Sequence, residues 1–396
     1  MPHTSSDVDP TLADKQRWVT RDVLGILLAQ TVFGFGWSLY LLTPKFLATE
    51  LHAGPETIGH VAAMGGFAGL LTVPFAARGL DRLGRRLFFQ LGSALVVLLS
   101  LGFLQVHAIG PLVFLLQGCL SASFVLAYNA AAALLTDYAP PRALGQAIGW
   151  LGSANVAMNA ISTAVAEPLA ASFGWHLVFE LGVLAGLCAF AMSFFLRAPK
   201  SARNTQPTAA EPVQIKPLIG PLVAGVLIGM VFVAGFSFLQ PYAVSLGARE
   251  VRGFFLGFTL AAVTCRLFLG GLGDRLGRRR VATWMMVAYG LATFVMRGLQ
   301  PELLFVYGFA FGAAHGLLYP TLNALVLEVL PSSRKGLGMV LFNGSFNLGS
   351  STGGLVWGML AARAGYPSMY TGAALLALVA VLALRVSSPL RAAPQR

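Results

Sequence analysis

Long apolar runs, broken by short polar and basic stretches, fill the chain from residue 23 to residue 384. Runs such as Leu87 to Val106 and Val223 to Phe238 are continuous and show no two-residue alternation. A membrane barrel would instead show alternating segments of about ten residues. A helix needs about 20 apolar residues to cross a ~30 Å hydrocarbon core. The pattern predicts an all-α membrane protein with twelve transmembrane helices at residues 23–44, 57–77, 87–106, 111–135, 145–168, 175–196, 217–243, 253–272, 281–296, 303–327, 336–361 and 367–384. Residues 1–22 form an N-terminal tail, 23–196 and 217–384 two six-helix bundles, and 385–396 a C-terminal tail. The stretch 197–216, with Pro199, Lys200, Arg203, Asn204, Pro207, Glu211, Pro212 and Lys216, is too polar to cross a bilayer and reads as a linker.

The two bundles repeat in register. Asp81-Arg82-Leu83-Gly84-Arg85-Arg86 returns as Asp274-Arg275-Leu276-Gly277-Arg278-Arg279, 193 residues later. Asp137, Pro140 and Gly145 return as Glu328, Pro331 and Gly336 at an offset of 191, and Gly174-Trp175 with Phe179 as Gly365-Tyr366 with Tyr370 at the same offset. Six helices separate the copies, so both bundles share one orientation, as in a parallel repeat about a pseudo-twofold along the membrane normal.

Composition supports a lipid-facing surface. Of 396 residues, 56% are hydrophobic and 11% charged, against about 25% charged in soluble domains. The formal charge of +12 could suggest a nucleic-acid partner, but its distribution excludes one. Lys45, Arg249, Arg252, Arg297 and Arg363 fall on one side and Arg266 within a span, leaving 21 of the 27 Lys and Arg on the other. By the positive-inside rule that side is cytoplasmic and holds both termini, as expected of a multi-pass protein of the inner membrane. No cleavable signal peptide is expected, since the first apolar run follows about twenty polar residues and is too long for one. Cys119, Cys188 and Cys265 fall inside spans without paired spacing, which favours packing over a disulfide or metal site.

With the repeated loop in hand, the chain resembles the major facilitator superfamily over essentially its whole length. That family's loop signature, Gly-x-x-x-Asp-Arg-x-Gly-Arg-Arg/Lys, is matched fully by Gly270 to Arg279, and by Ala77 to Arg86 except at its first position. The resemblance implies a transporter that works by alternating access. It also implies that Asp81 latches across the halves onto the N-terminus of helix eleven near Ser333 to Gly336, favouring the outward-facing state, with Asp274 a second latch candidate and Arg82, Arg85, Arg275 and Arg278 around them; the plainer alternative is that each Asp offsets the local Arg charge. Helices one, four, seven and ten would surround a central cavity. On them stand Gln30, Trp37, Tyr40, Gln117, Tyr128, Asn129, Phe236, Gln240, Tyr242, His315, Tyr319 and Asn323. Amides and aromatics without a central carboxylate suit a neutral, polar or amphipathic organic solute. The chain departs from proton-coupled drug exporters in two places. Phe114 stands where an Arg would precede Gln117-Gly118, and Ser162-Thr163 replace a Gly-Pro pair.

Within the spans the charged residues are Glu167, Glu180 and Arg266. Glu167-Pro168 reads either as a protonatable coupling residue or as a solvated helix end, and Arg266 as an anion or gating contact or as a cation bonded to backbone carbonyls. Asn155/Asn159 and Asn343/Asn347 sit one turn apart on corresponding helices and suit interhelical hydrogen bonds. Gly65/Gly69, Gly253/Gly257 and Gly349/Gly353 have the GxxxG spacing of close helix contact, and by the resemblance sit where the halves rock against one another.

The expectation is a secondary transporter, monomeric, partnered by a small-molecule substrate and membrane lipids, acting as an exporter. No cofactor or metal is implied, and a proton gradient is the energy source left open. An uptake or facilitated-diffusion permease for a small polar solute or metal chelate is the alternative. An intramembrane serine hydrolase built on Gly349-Ser350-Ser351-Thr352-Gly353 and His315 is disfavoured, because a glycine-rich helix produces that string readily and the repeat has no role in it.

Overall fold

The structure, a computed structural model, describes residues 19–140, 143–197, 215–331 and 334–386; the side chains of residues 77, 81 and 336 lie outside the description. It is all-helical, with no strand among the described residues.

Nine helices are long and apolar enough to cross a membrane among the described residues. Two further long helices, Leu144–Phe173 and Arg278–Val295, and a break at Gly365 inside the last one bring the long helical segments to twelve. In chain order they are α1 (Arg21–Thr49), α2 (Pro55–Leu83), α3 (Arg85–Phe103), α4 (Pro111–Tyr138), α5 (Leu144–Phe173), α6 (Trp175–Ser193), α7 (Lys216–Ser245), α8 (Arg252–Leu269), α9 (Arg278–Val295), α10 (Leu304–Glu328), α11 (335–364) and α12 (366–386). The predicted eighth span overruns by three residues: Gly270 and Gly271 end α8 at Leu269, and a short helix Leu272–Leu276 carries the repeated motif.

The sequence repeat reappears in the backbone. Gly84 (φ 95°) and Gly277 (φ 88°) reverse the chain between α2 and α3 and before α9. Gly174 (φ 83°) and Gly365 (φ 80°) do so between α5 and α6 and between α11 and α12. An L side chain at these positions would be strained, so glycine is what lets successive helices fold back with almost no loop.

We call the face that holds the turns at Gly84 and Gly277 the proximal face, and the opposite one, with the loops at 50–54 and 246–251, the distal face. One buried cluster joins both halves, from Leu39 and Phe46 through Phe179 to Phe254, Phe311 and Tyr370, and continues through the second half to Leu330 and Leu384. A second cluster, including Phe33, Phe88 and Leu134, belongs to the first half alone. Large apolar side chains such as Leu71, Phe195, Leu267 and Phe268 are well exposed on the outer surface. Such a band is unfavourable in water and natural in lipid.

Close approach of helices is set by glycines, though not in the frame expected. A Cβ on Gly257 would lie 2.1 Å from the Phe305 carbonyl oxygen on α10, and one on Gly349 1.9 Å from that of Val226 on α7. Gly65 packs on Gln117 and Ser121 of α4. These expected GxxxG residues therefore hold each half together internally. The contact between halves along α2 and α11 falls to Gly59 and Gly66 against Gly354, Gly358 and Ser351: a Cβ on Gly59 would meet the Gly354 carbonyl oxygen at 2.3 Å. Only Gly69, whose Cβ would lie 3.8 Å from both Asn347 and Ser121, faces both.

Candidate solute pathway

α8 begins at Arg252 with Val251 as its N-cap, and valine has no side-chain acceptor for the free N–H groups of a first turn. The acceptor comes from the other half. Glu167, near the distal end of α5, takes hydrogen bonds from the N–H of Val251 (2.7 Å) and of Arg252 (2.8 Å). The same carboxylate is ion-paired with Lys45 of α1, whose ammonium also donates to the Arg249 carbonyl at 2.6 Å. Glu167 is 2% and Lys45 8% exposed. A buried carboxylate at a helix N-terminus with a cation beside it is well compensated, and this one ties three helices of both halves across the distal face.

Two more hydrogen bonds join the halves below this seal. The Gln240 amide donates to the Leu41 carbonyl (2.8 Å) and to the Phe236 carbonyl (2.9 Å). Both acceptors sit where the helices are irregular. α1 passes through a 3-10 turn at Leu39–Leu42, and α7 through a π turn at Ala234–Phe238. A 3-10 turn would pair Leu41 with residue 44 and a π turn would pair Phe236 with residue 241; both are prolines without an N–H. One side chain supplies the donor that both prolines withhold. Deeper still, the Thr259 hydroxyl of α8 donates to the Val156 carbonyl of α5 at 3.2 Å.

Beneath the seal lies a cavity of about 140 Å³ bounded by α1, α2, α4 and α7, with Trp37, Tyr40, Gln117 and Phe236 in its wall. Two aromatic columns lead from it toward the proximal face. In the first half Trp37 stacks near Phe124 (ring centroids 4.7 Å) and Phe124 on Tyr128 (5.1 Å). In the second, Phe236, Phe232, His315 and Tyr319 follow at 4.4, 4.9 and 5.7 Å. Tyr128 and Tyr319 are 191 residues apart, as are Phe124 and His315, so the columns occupy repeated positions. Both end near the depth of one cation, Arg266 of α8: α10 runs alongside α8 with Gly312 on Phe258 and Gly316 on Ala262, which brings Tyr319 level with Arg266, while α5 runs against α8 with Val156 bonded to Thr259, which brings Gly152, and the Tyr128 hydroxyl beside it, to within about a helical turn. Arg266 is half-buried and has no hydrogen bond or ion pair with any described residue.

The two tyrosines are not equivalent. Tyr319 donates to the Asn343 side chain at 2.6 Å. The position 191 residues before Asn343 is Gly152, where an added Cβ would stand 3.7 Å from the Tyr128 hydroxyl. Where the second half ties its tyrosine down, the first leaves its own without a partner among the described residues.

At the proximal face the repeated loop arginines anchor each half to itself. Arg85 is ion-paired with Asp137 at the end of α4 and donates to the Ala133 carbonyl at 2.7 Å. Arg278 pairs with Glu328 at the end of α10 and with Asp274, both at 2.7 Å. Asp274 therefore engages its own half. Arg82 and Arg275 are exposed. The expected latch of Asp81 on Ser333 to Gly336 involves the side chain of Asp81 and residues that lie outside the description.

The remaining expected cavity residues divide. Tyr40 donates to Ser100 at 2.6 Å and packs on Phe103 and Phe179, a supporting role inside the first half. Asn129 donates to the Val125 carbonyl of its own helix, and Tyr242 to the Arg297 carbonyl. Gln30 is fully buried with neither amide atom partnered, and Asn323 Oδ1 and His315 Nδ1 are likewise unpartnered among the described residues. Lys45 and Asn343 are the partners that sequence reasoning did not place in the site.

A sequence profile of the Major Facilitator Superfamily matches residues 26–262 and 253–396. The chain is similar to the multi-drug resistance efflux pump PmrA homolog of Lactococcus lactis, with 27% identity over 339 residues, 79% of this chain and 80% of the relative. The inward-open conformation of the xylose transporter XylE from E. coli superposes with a TM-score of 0.73 at 14% identity, over 93% of this chain and 96% of that one. The nucleoside transporter NupG gives 0.72 at 14% identity, over 93% and 99%. At such identity the likeness is one of fold.

Proposed function

Since the chain belongs to the Major Facilitator Superfamily, we propose that it is a secondary active transporter that exports a small organic solute by alternating access. In this reading its twelve helical segments span the inner membrane as two six-helix bundles, both termini are cytoplasmic, and the distal face is the outer one.

The observation that carries the reading is the one-sided closure. Lys45, Glu167 and the α8 N-terminus join the halves at the distal face. Toward the proximal face, added Cβ atoms at Gly145 and Gly149 of α5 would touch no described residue within 4 Å. A half-buried cation and unpartnered polar atoms lie between these ends. A pathway shut at one end and accessible from the other is one of the two states that alternation requires, and a rocking motion about a fixed central site supplies the other. The outward direction is supported by the relative named as an efflux pump. Glu167 and His315 are the protonatable groups along the path, and Asp81 is retained as a proposed proximal latch.

Purified protein in proteoliposomes, offered sugars, amphipathic drugs and siderophore-like compounds with and without a pH gradient, tests this. We expect saturable movement of at least one organic solute, with the gradient changing its steady state if a proton is coupled. No movement of any compound above protein-free liposomes, in either orientation, overturns the reading.

A further inference from the structure

The geometry points to an organic anion as the solute, an apolar body carrying a carboxylate that Arg266 of one half and the Tyr128 hydroxyl of the other grasp together. This rests on the transporter reading and narrows it.

An arginine between membrane helices is costly without a partner. Arg266 has none among the described residues, and Glu167, the one acid buried within the spans among those residues, is consumed at the distal seal by Lys45 and two N–H groups. Its five N–H donors and the O–H of the free Tyr128 hydroxyl thus present a surface dominated by donors. A guanidinium fork matches the two oxygens of a carboxylate. The aromatic columns above it accept a flat or branched apolar body but offer little to a sugar, whose many hydroxyls would each need a partner. The Asn343–Gly152 asymmetry gives the site its bridging character: Tyr319 is already engaged, so the free phenol belongs to the half that does not carry the cation. A ligand held by both contacts spans the interface that rocks, which couples occupancy to the relative position of the halves.

The probes are three acids, 3-phenylpropionate, octanoate and 1-naphthoate, each beside its uncharged amide, tested for binding to the full chain in detergent and for counterflow in proteoliposomes. At least one acid should bind in preference to its amide. Arg266→Gln should weaken that acid by roughly ten- to hundredfold while leaving the amide unchanged, Arg266→Lys should restore part of the loss, and Tyr128→Phe should weaken the acid several-fold. Because Arg266 holds no described group in place, the ligand-free Arg266→Gln protein should melt no earlier than the parent. Equal binding of acids and amides, an acid preference that survives Arg266→Gln, or no binding of any of the three acids overturns the inference. If the acids fail while a neutral compound is transported, the anion class falls and the transporter stands. If an acid binds through Arg266 but no probe shows counterflow, the site stands and the transporter reading falls.

Discussion

Glu167 receives three donors from two halves, so its removal unties more than one contact. Breaking a buried pair from one side costs about 3–5 kcal/mol, because the remaining charge is stranded. Glu167→Gln and Lys45→Met should each loosen the distal face. Removing both should be less disruptive than the two single effects added, with a coupling on the order of 1–3 kcal/mol. The readout is a cysteine at Ser237, in the wall of the cavity beneath the seal, placed in a variant without the three native cysteines. Its labelling by an impermeant maleimide from the distal side should quicken roughly tenfold or more in either single variant; unchanged labelling would remove Glu167 from the gate. At this scale the sequence was half legible. Glu167 and Arg266 stand out because charge inside a span is rare. Lys45 did not, since a lysine at a span's edge reads as a topology marker and its partner is 122 residues away. The Tyr128–Tyr319 pair was within reach: extending the 191-residue offset from loops into spans finds it.

Helices reveal a second kind of partial legibility. Small-residue spacing identified α2, α8 and α11 as closely packed, but a helix has several faces, and GxxxG does not say which neighbour each face meets. Gly349 and Gly353 serve α7, whereas Gly354 and Gly358, one residue along, serve α2. The two frames should therefore fail differently. Gly349→Val drives a side chain into the Val226 backbone and should cost about 1–3 kcal/mol of stability, read as earlier melting in detergent. Gly354→Val wedges the halves apart at the distal face and should spare the melting point more while lowering counterflow. Equal melting losses in the two variants would mean that the α2–α11 contact is part of the folded core and not a seam. The kinks in α1 and α7 were not expected either. Pro44 and Pro241 were visible, but the 3-10 and π turns depend on which carbonyls find substitute donors, a tertiary matter.

Over the whole molecule two coarse features carried the reading: the unbroken apolar runs, which the all-helical fold bears out, and the offset of about 191 to 193 residues. Both survive error at individual positions, which is why the helices and their turns agree with expectation while partners within them do not. The conformational state could not be read in advance, because one sequence serves every state of the cycle. It now has a direct consequence. Single cysteines at Gly145 and Gly149 should react with impermeant maleimide from the proximal side at rest, while one at Ala62, in the wall of the cavity below the seal, should resist reagent from the distal side. A reversed pattern in vesicles of known orientation would mean that the resting protein favours the opposite state.

Gln240 sets a condition on how that state is left. Its single amide nitrogen caps the Leu41 carbonyl of one half and the Phe236 carbonyl of its own. When the halves separate, the Leu41 oxygen is bared in a 3-10 turn whose own partner, Pro44, has no N–H to meet it. Hydration of the crevice is then a requirement of the motion and not its by-product: water, or a solute able to donate, has to arrive as fast as the amide withdraws.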